Sequence, residues 1–220
     1  GIGVKTTRYG QKALACSVMH PTPHQNVSTE IHRTGGPFTM VPLPDVDGQP
    51  ASAVVWMERS AEAERLNGLE TAAFEAEIDQ RSCGLFGPLT LNSPRTVWPI
   101  ISQYAERMSG ERTALIAEAA HVMPPIGAQG LNMSLADLAC LLRLAQDDPD
   151  QLGAPKMLDS YARARHRDIR MRVTGIDALN RASMAGNPIL QSLRATGIRA
   201  LYDLAPVRRR VMDLGLRASR

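Results

Sequence analysis

Thr113-Ala114-Leu115-Ile116-Ala117-Glu118-Ala119-Ala120-His121-Val122-Met123-Pro124-Pro125-Ile126-Gly127-Ala128-Gln129-Gly130-Leu131-Asn132 is the stretch on which the fold of this 220-residue chain turns. A compact apolar run over 113–117 ends in Glu118 and predicts a strand, and a loop of prolines and glycines follows over 124–130. Leu131, Leu135, Leu138 and Leu142 then recur at helical spacing, which predicts a helix with one buried leucine face. Strand, glycine loop and helix, in that order, form a unit that α/β proteins use to hold ligands. The glycines let the backbone turn tightly and come close to a ligand. The first amides of the helix lack intrahelical partners and carry a partial positive charge. Glu118, at the end of the expected strand, is placed to accept hydrogen bonds from hydroxyl groups. A Pro/Gly loop of this kind also occurs where nothing binds, so the local sequence leaves a ligand cradle and a plain connection both open.

Upstream, the chain reads as strands. Residues 13–19, 27–31, 38–43 and 51–57 are short β-branched or alternating runs separated by turn signals at 20–23, 35–37 and 44–48. That is the pattern of an antiparallel sheet of hairpins. Residues 60–83 turn helical with Ser60 as the expected N-cap, and 89–91 and 96–103 return to the sheet. Downstream, Leu158, Tyr161, Ile169, Val173, Ile176 and Leu179 keep helical spacing, while Asn187-Pro188 and Pro206 divide the tail into about three helices. The expected organisation is a sheet with inserted helices over 1–110, a strand–loop–helix over 111–153 and a helical segment over 154–220.

Composition narrows the class. Apolar residues make up 44% and charged residues 21%, ordinary values for a globular protein, and no apolar run approaches a membrane span. The net charge of +3 hides a split: 14 basic and 5 acidic residues from 156 to 220, against 11 basic and 17 acidic before them. The basic tail has Tyr161 and Tyr202 as its only aromatics, which argues against nucleic-acid binding and leaves an anionic membrane surface or a solvated helix face. Cys16, Cys83 and Cys140 lie far apart and form no CxxC pair, as expected of reduced structural thiols. His20, His24 and His32 match no metal-ligand spacing, so no metal site is assigned.

The quoted stretch resembles the second flavin-binding motif of class A aromatic monooxygenases, a Gly-Asp-Ala-Ala-His sequence followed by a Pro-Pro and glycine loop ending in Asn. Tyr161-Ala-Arg163-Ala-Arg165-His166-Arg167, Asp177-Ala-Leu179-Asn180-Arg181 and Leu193-Arg194-Ala-Thr-Gly197 are similar to the C-terminal helices of the ubiquinone-biosynthesis hydroxylases. Tyr9-Gly-Gln11-Lys-Ala13, Gly36-Pro37-Phe38, Pro42-Leu43-Pro44 and Val55-Trp56 extend the resemblance over nearly the whole chain. Two departures stand out. The family's Gly-Asp is Ala117-Glu118, whose extra methylene moves the carboxylate by roughly 1.5 Å. The family's opening G-x-G-x-x-G turn and its NADPH-associated Asp-Gly are absent, so the chain is expected to be the C-terminal half of a hydroxylase about twice as long.

The resemblance implies an α/β fold, α+β within this chain: an antiparallel substrate-domain sheet, the last strand–loop–helix of a Rossmann-like FAD-binding domain, then helices. It implies FAD as cofactor, NAD(P)H as electron donor, O2 as co-substrate and a prenylated phenol as the ring hydroxylated. Glu118 would hold the ribityl chain of FAD. Gly130, Leu131 and Asn132 would offer amides to the flavin's pyrimidine edge, Gly127 would let the loop pass the ring and Gln129 would flank it. Pro125 would lie where substrate enters, with the sheet over 38–56 as a wall of the substrate cavity, and no further catalytic side chain is assigned. The expected location is cytoplasmic or peripheral to the inner face of the membrane, alone, as a homo-oligomer or in a ubiquinone-biosynthesis complex. A hydroxylase of a soluble aromatic compound, and a non-catalytic interaction module, are the alternatives.

Overall fold

The computed structural model describes residues 1–33, 35–184, 196–197, 199 and 202–209. The fold is mixed α/β with an antiparallel sheet, as the sequence suggests. The strands are β1 (Val4–Met19), β2 (Thr29–Arg33), β3 (Gly36–Val46), β4 (Gln49–Arg59), β5 (Thr90–Leu91) and β6 (Thr96–Ala105), with the helices α1 (Ser60–Asn67) and α2 (Thr71–Ser82) between β4 and β5. Then come the short β7 (Ser109–Gly110), β8 (Thr113–Ala114) and β9 (His121–Val122), and the long helices α3 (Gln129–Asp147) and α4 (Pro155–Met184). The chain forms two compact units, Tyr9–Ile100 and a second made of Gly1–Arg8 with Ile101–Ala182.

In the Tyr9–Ile100 unit the strands run in the order β2-β3-β4-β1, with β5 paired to the end of β1. Register aligns Leu14 with Trp56 and Phe38, and Cys16 with Val54 and Met40, so these six side chains share one face. Leu66 of α1 and Phe74 and Ile78 of α2 pack against them, and all three are fully buried. The Phe38 and Trp56 rings meet edge to face with centroids 5.6 Å apart, and the Arg95 guanidinium lies 4.8 Å from the Phe74 ring centroid. Burial pushes the Cys16 thiol up to about 12, which keeps it protonated and inert. The opposite rows are Ala15, Val55, Thr39 and Ser17, Ala53, Val41, small or β-branched and only partly covered or exposed.

The helical stretch expected over 60–83 is broken at Gly68-Leu69-Glu70, where the C-terminal amide of α1 closes on Glu64 and Arg65. Ser60 is the first helical residue and not the cap; its hydroxyl donates to the Gly10 carbonyl at 2.9 Å. Cys83 ends α2 in the left-handed region (φ 61°), exposed and unbridged. His20 bonds to Thr22 and Ser52, His24 to the Leu43 carbonyl and His32 to Glu30.

Three expectations change in the second unit. The strand over 113–117 is only two residues long, because β7 is its sole sheet partner among the described residues. Glu118 consequently sits on a one-turn 3-10 helix, Ala117–Ala119. The leucine face of α3 points outward: Leu131, Leu135, Leu138 and Leu142 are 49–71% exposed. The buried stripe is Met133, Ala136, Asp137 and Cys140, against Tyr161, Ile169 and Val173 of α4. Along α4 five of the six expected core positions are buried, and Leu179 is exposed. The expected break at Asn187-Pro188 and the Leu193-Arg194 pair lie outside the described residues. Phe74→Ala should lower unfolding stability by about 3–5 kcal/mol, because it opens a cavity at the centre of the first core; chemical denaturation checks this.

Candidate functional site

The entry into α3 is built by two consecutive left-handed residues. After Pro125 the turn Ile126–Ala128 carries Gly127 at φ 73° and Ala128 at φ 51°, and the chain reverses into the helix at Gln129. No side chain caps this end. The first amides of α3 therefore add a partial positive charge to a cavity of about 290 Å³. Glu118, His121, Val122, Met123, Gly130, Leu131 and Ser134 line it. A Cβ built on Gly130 would meet nothing within 4 Å, and its backbone is not left-handed. The cavity is therefore open above the first turn of α3 at Gly130.

Beneath this cavity lies a buried ionic network. Asp137 on α3 is completely buried and accepts three hydrogen bonds: from Arg165 Nε at 2.6 Å, His121 Nε2 at 2.8 Å and the Ala117 amide at 3.0 Å. Burial alone would raise its carboxyl, but these three donors outweigh it and hold the group below the usual carboxylate range. Arg165 on α4 is equally enclosed; burial opposes its charge, and the bonds to Asp137 and Asp168 more than restore it. Its remaining nitrogen donates to the Met133 carbonyl. Asp168 also accepts from Arg172, which reaches Gln129 Oε1 at 2.9 Å. The Tyr161 hydroxyl donates to the Leu115 carbonyl at 2.6 Å.

Of the residues singled out from the sequence, Glu118, Gly130 and Leu131 share the cavity. Gln129 turns aside, its amide donating to the Gly127 carbonyl while Arg172 holds its oxygen. Gly127 and Pro125 are exposed on the loop, Asn132 is partly buried in the first turn of α3, and none of the three lines the cavity. Sequence reasoning missed Asp137. Its signal was an acid in the middle of an otherwise apolar helical stripe, which is tolerated only with a paired charge.

Two predictions follow from the network. Asp137→Asn leaves Arg165 short of its closest anion and should cost about 3–5 kcal/mol at neutral pH. Because the folded Asp137 titrates below its unfolded value of about 3.9, its stabilisation is present above that value. It is lost as pH falls through the lower folded value. The gap between wild type and variant should therefore narrow on acidification below about pH 4, read by denaturation at a series of pH values. Ala117 holds a left-handed backbone at φ 53° while giving its amide to Asp137. Ala117→Gly should stabilise by about 1 kcal/mol, measured in the same assay.

A model of the FAD binding domain family matches residues 5–174. The chain is 33% identical to the ubiquinone hydroxylase UbiL of Rhodospirillum rubrum over 215 residues, covering 96% of this chain and 49% of that protein. It is 23% identical to the 3-demethoxyubiquinol 3-hydroxylase of Escherichia coli over 98% of this chain and 55% of that protein. The chain thus spans about half the length of the curated relatives it matches. Among solved structures, p-nitrophenol 4-monooxygenase PnpA from Pseudomonas putida superposes over 100% of this chain and 57% of its own, with a TM-score of 0.75 at 15% identity, a likeness of fold. With 170 of its residues under that one family model and the glycine-bearing helix start in place, the chain belongs to the FAD binding domain family.

Proposed function

We propose that this chain is the C-terminal half of an FAD-dependent monooxygenase that uses NAD(P)H and O2 to hydroxylate a prenylated phenol ring in ubiquinone biosynthesis. The observation that carries the reading is the open space over Gly130 at the uncapped start of α3, in a chain of the FAD binding domain family. The names of relatives from Rhodospirillum rubrum and Escherichia coli support the choice of substrate. The exposed leucine ridge of α3 and the half-length match to relatives support a further half packed over it.

Bound FAD supplies the electron transfer and oxygen activation; the chain supplies placement and charge. The amides of Gly130, Leu131 and Asn132 would hold the flavin's pyrimidine edge and favour negative charge there. Glu118, on the Ala117–Ala119 turn and in the lining of the same cavity, would accept from ribityl hydroxyls. Gln129, held by Arg172, and the left-handed Gly127 shape the loop that would flank the ring, and the exposed Pro125 would lie where substrate enters. In the other unit, Ala15, Ser17, Thr39, Val41, Ala53 and Val55 form a sheet face of small and β-branched side chains that would suit a wall for a prenylated ring. The reading extends to a membrane-peripheral enzyme, in a homo-oligomer or a ubiquinone-biosynthesis complex; no helix among the described residues is long and apolar enough to cross a membrane.

In the full-length protein, wild type should retain stoichiometric yellow FAD, and a prenylphenol should stimulate its NADPH oxidation. Gly130→Val, which places a branched side chain in the cavity mouth, should purify folded but colourless. Unchanged flavin content in that variant overturns the placement of the loop. Stimulation by a soluble phenol and not by a prenylphenol overturns the substrate.

A further inference from the structure

A second and larger groove, about 1120 Å³, lies in the unit that contains α4 and is lined by none of the residues of the α3 cavity. Arg107 and Arg112 project into it from the segment around β7, and Arg163, Arg167 and Arg170 from successive turns of α4. The enclosed arginines of α4, Arg165 and Arg172, are each paired with an aspartate, and the exposed Arg181 pairs with Asp177 one turn before it. Among the described residues the five groove arginines form no ion pair; Arg163 reaches the Ser160 hydroxyl and Arg107 the Gly1 carbonyl. Three carboxylates, Glu106, Glu111 and Asp159, share the walls and leave the guanidinium groups in excess.

Two further features point the same way. α4 starts at Pro155 on the rim, so the positive end of a 30-residue helix adds to the field. His166, also in the lining, has a buried Nε2 with no hydrogen-bond partner. The floor is apolar, with Met108 and Leu158 buried beneath it. Unpaired guanidinium forks bind phosphate oxygens in bidentate fashion, and an apolar floor accepts whatever carbon skeleton carries the phosphate.

We propose that this groove is a binding site for a phosphate-bearing ligand, either a soluble diphosphate or the phosphate of an anionic lipid headgroup. The site is separate from the α3 cavity, and the inference does not depend on the FAD reading. Arg163, Arg167 and Arg170 form the helical side of the clamp, Arg107 and Arg112 the other, and the ligand's hydrocarbon or ring lies over Met108 and Leu158.

The test uses full-length, FAD-loaded protein with two probes: inorganic pyrophosphate by calorimetry, and cosedimentation with phosphatidylcholine vesicles with and without phosphatidylglycerol. Wild type should bind at least one probe, more weakly as salt rises. Arg163→Ala/Arg167→Ala/Arg170→Ala should weaken that binding by about tenfold or more while keeping its flavin. Lys5→Ala/Arg8→Ala/Arg59→Ala removes as many charges outside the groove and should stay within about twofold of wild type. The single change Arg163→Glu should rank between wild type and the groove triple. Calorimetric binding of pyrophosphate identifies a soluble diphosphate as the ligand. Vesicle binding that needs phosphatidylglycerol and resists pyrophosphate identifies a headgroup. Wild type binding neither probe, or equal losses in the two triple variants, overturns the proposal.

Discussion

The buried contact between Asp137 and Arg165 is the constraint around which the unit holding the candidate flavin cavity is arranged. One carboxylate receives donors from three places: the turn at Ala117, the strand β9 through His121, and the helix α4 through Arg165. Arg165 lies 28 positions from Asp137 and Ala117 lies 20, and the contact fixes α4 and the Ala117 turn against α3 where apolar packing alone tolerates sliding. A hydrogen-bonded ion pair does not, since each donor must point at a particular lone pair. Two charges buried away from water are costly, and the cost is offset only when every donor and acceptor is met. Glu118 and Gly130, which line one cavity, stand on or beside the two elements that this carboxylate joins, the Ala117 turn and α3.

Much of this organisation is legible in the sequence. The hairpin pattern over 13–57 is clear because one face of that sheet is packed and the other is not, so alternation survives in the residue types. The start of α3 is legible from the Pro-Pro and glycine signals, and α4 from its repeated apolar spacing. Three features escape. The leucines of α3 carry the strongest periodic signal, yet the described residues bury the neighbouring stripe. Periodicity reports that a face is apolar and not what covers it. The strand expected at 113–117 depends on sheet partners, and a strand's length is set by its neighbours more than by its own residues. Asp137 escapes because its partners lie 16, 20 and 28 positions away, beyond any local pattern.

The two helices of this unit use electrostatics in opposite ways. On the inner face of α4 the guanidinium groups of Arg165 and Arg172 are matched to carboxylates, and the pairs hold structure together. On its outer face the guanidinium groups of Arg163, Arg167 and Arg170 are left without carboxylate partners. The positive tail that the charge count reveals is therefore two populations of arginine. At α3 the charge is of a different kind, the partial charge of backbone amides, which requires no ionisable side chain and does not titrate.

Arg165 spends its whole planar fork: Nε on Asp137, one terminal nitrogen on Asp168 and the other on the Met133 carbonyl. The three acceptors sit at angles that only a flat, branched cation can serve together. A lysine there would carry the same charge into the same enclosed space and meet one acceptor while abandoning two. At this position the protein selects for the shape of a cation, and charge conservation is no guide to which substitutions it will accept.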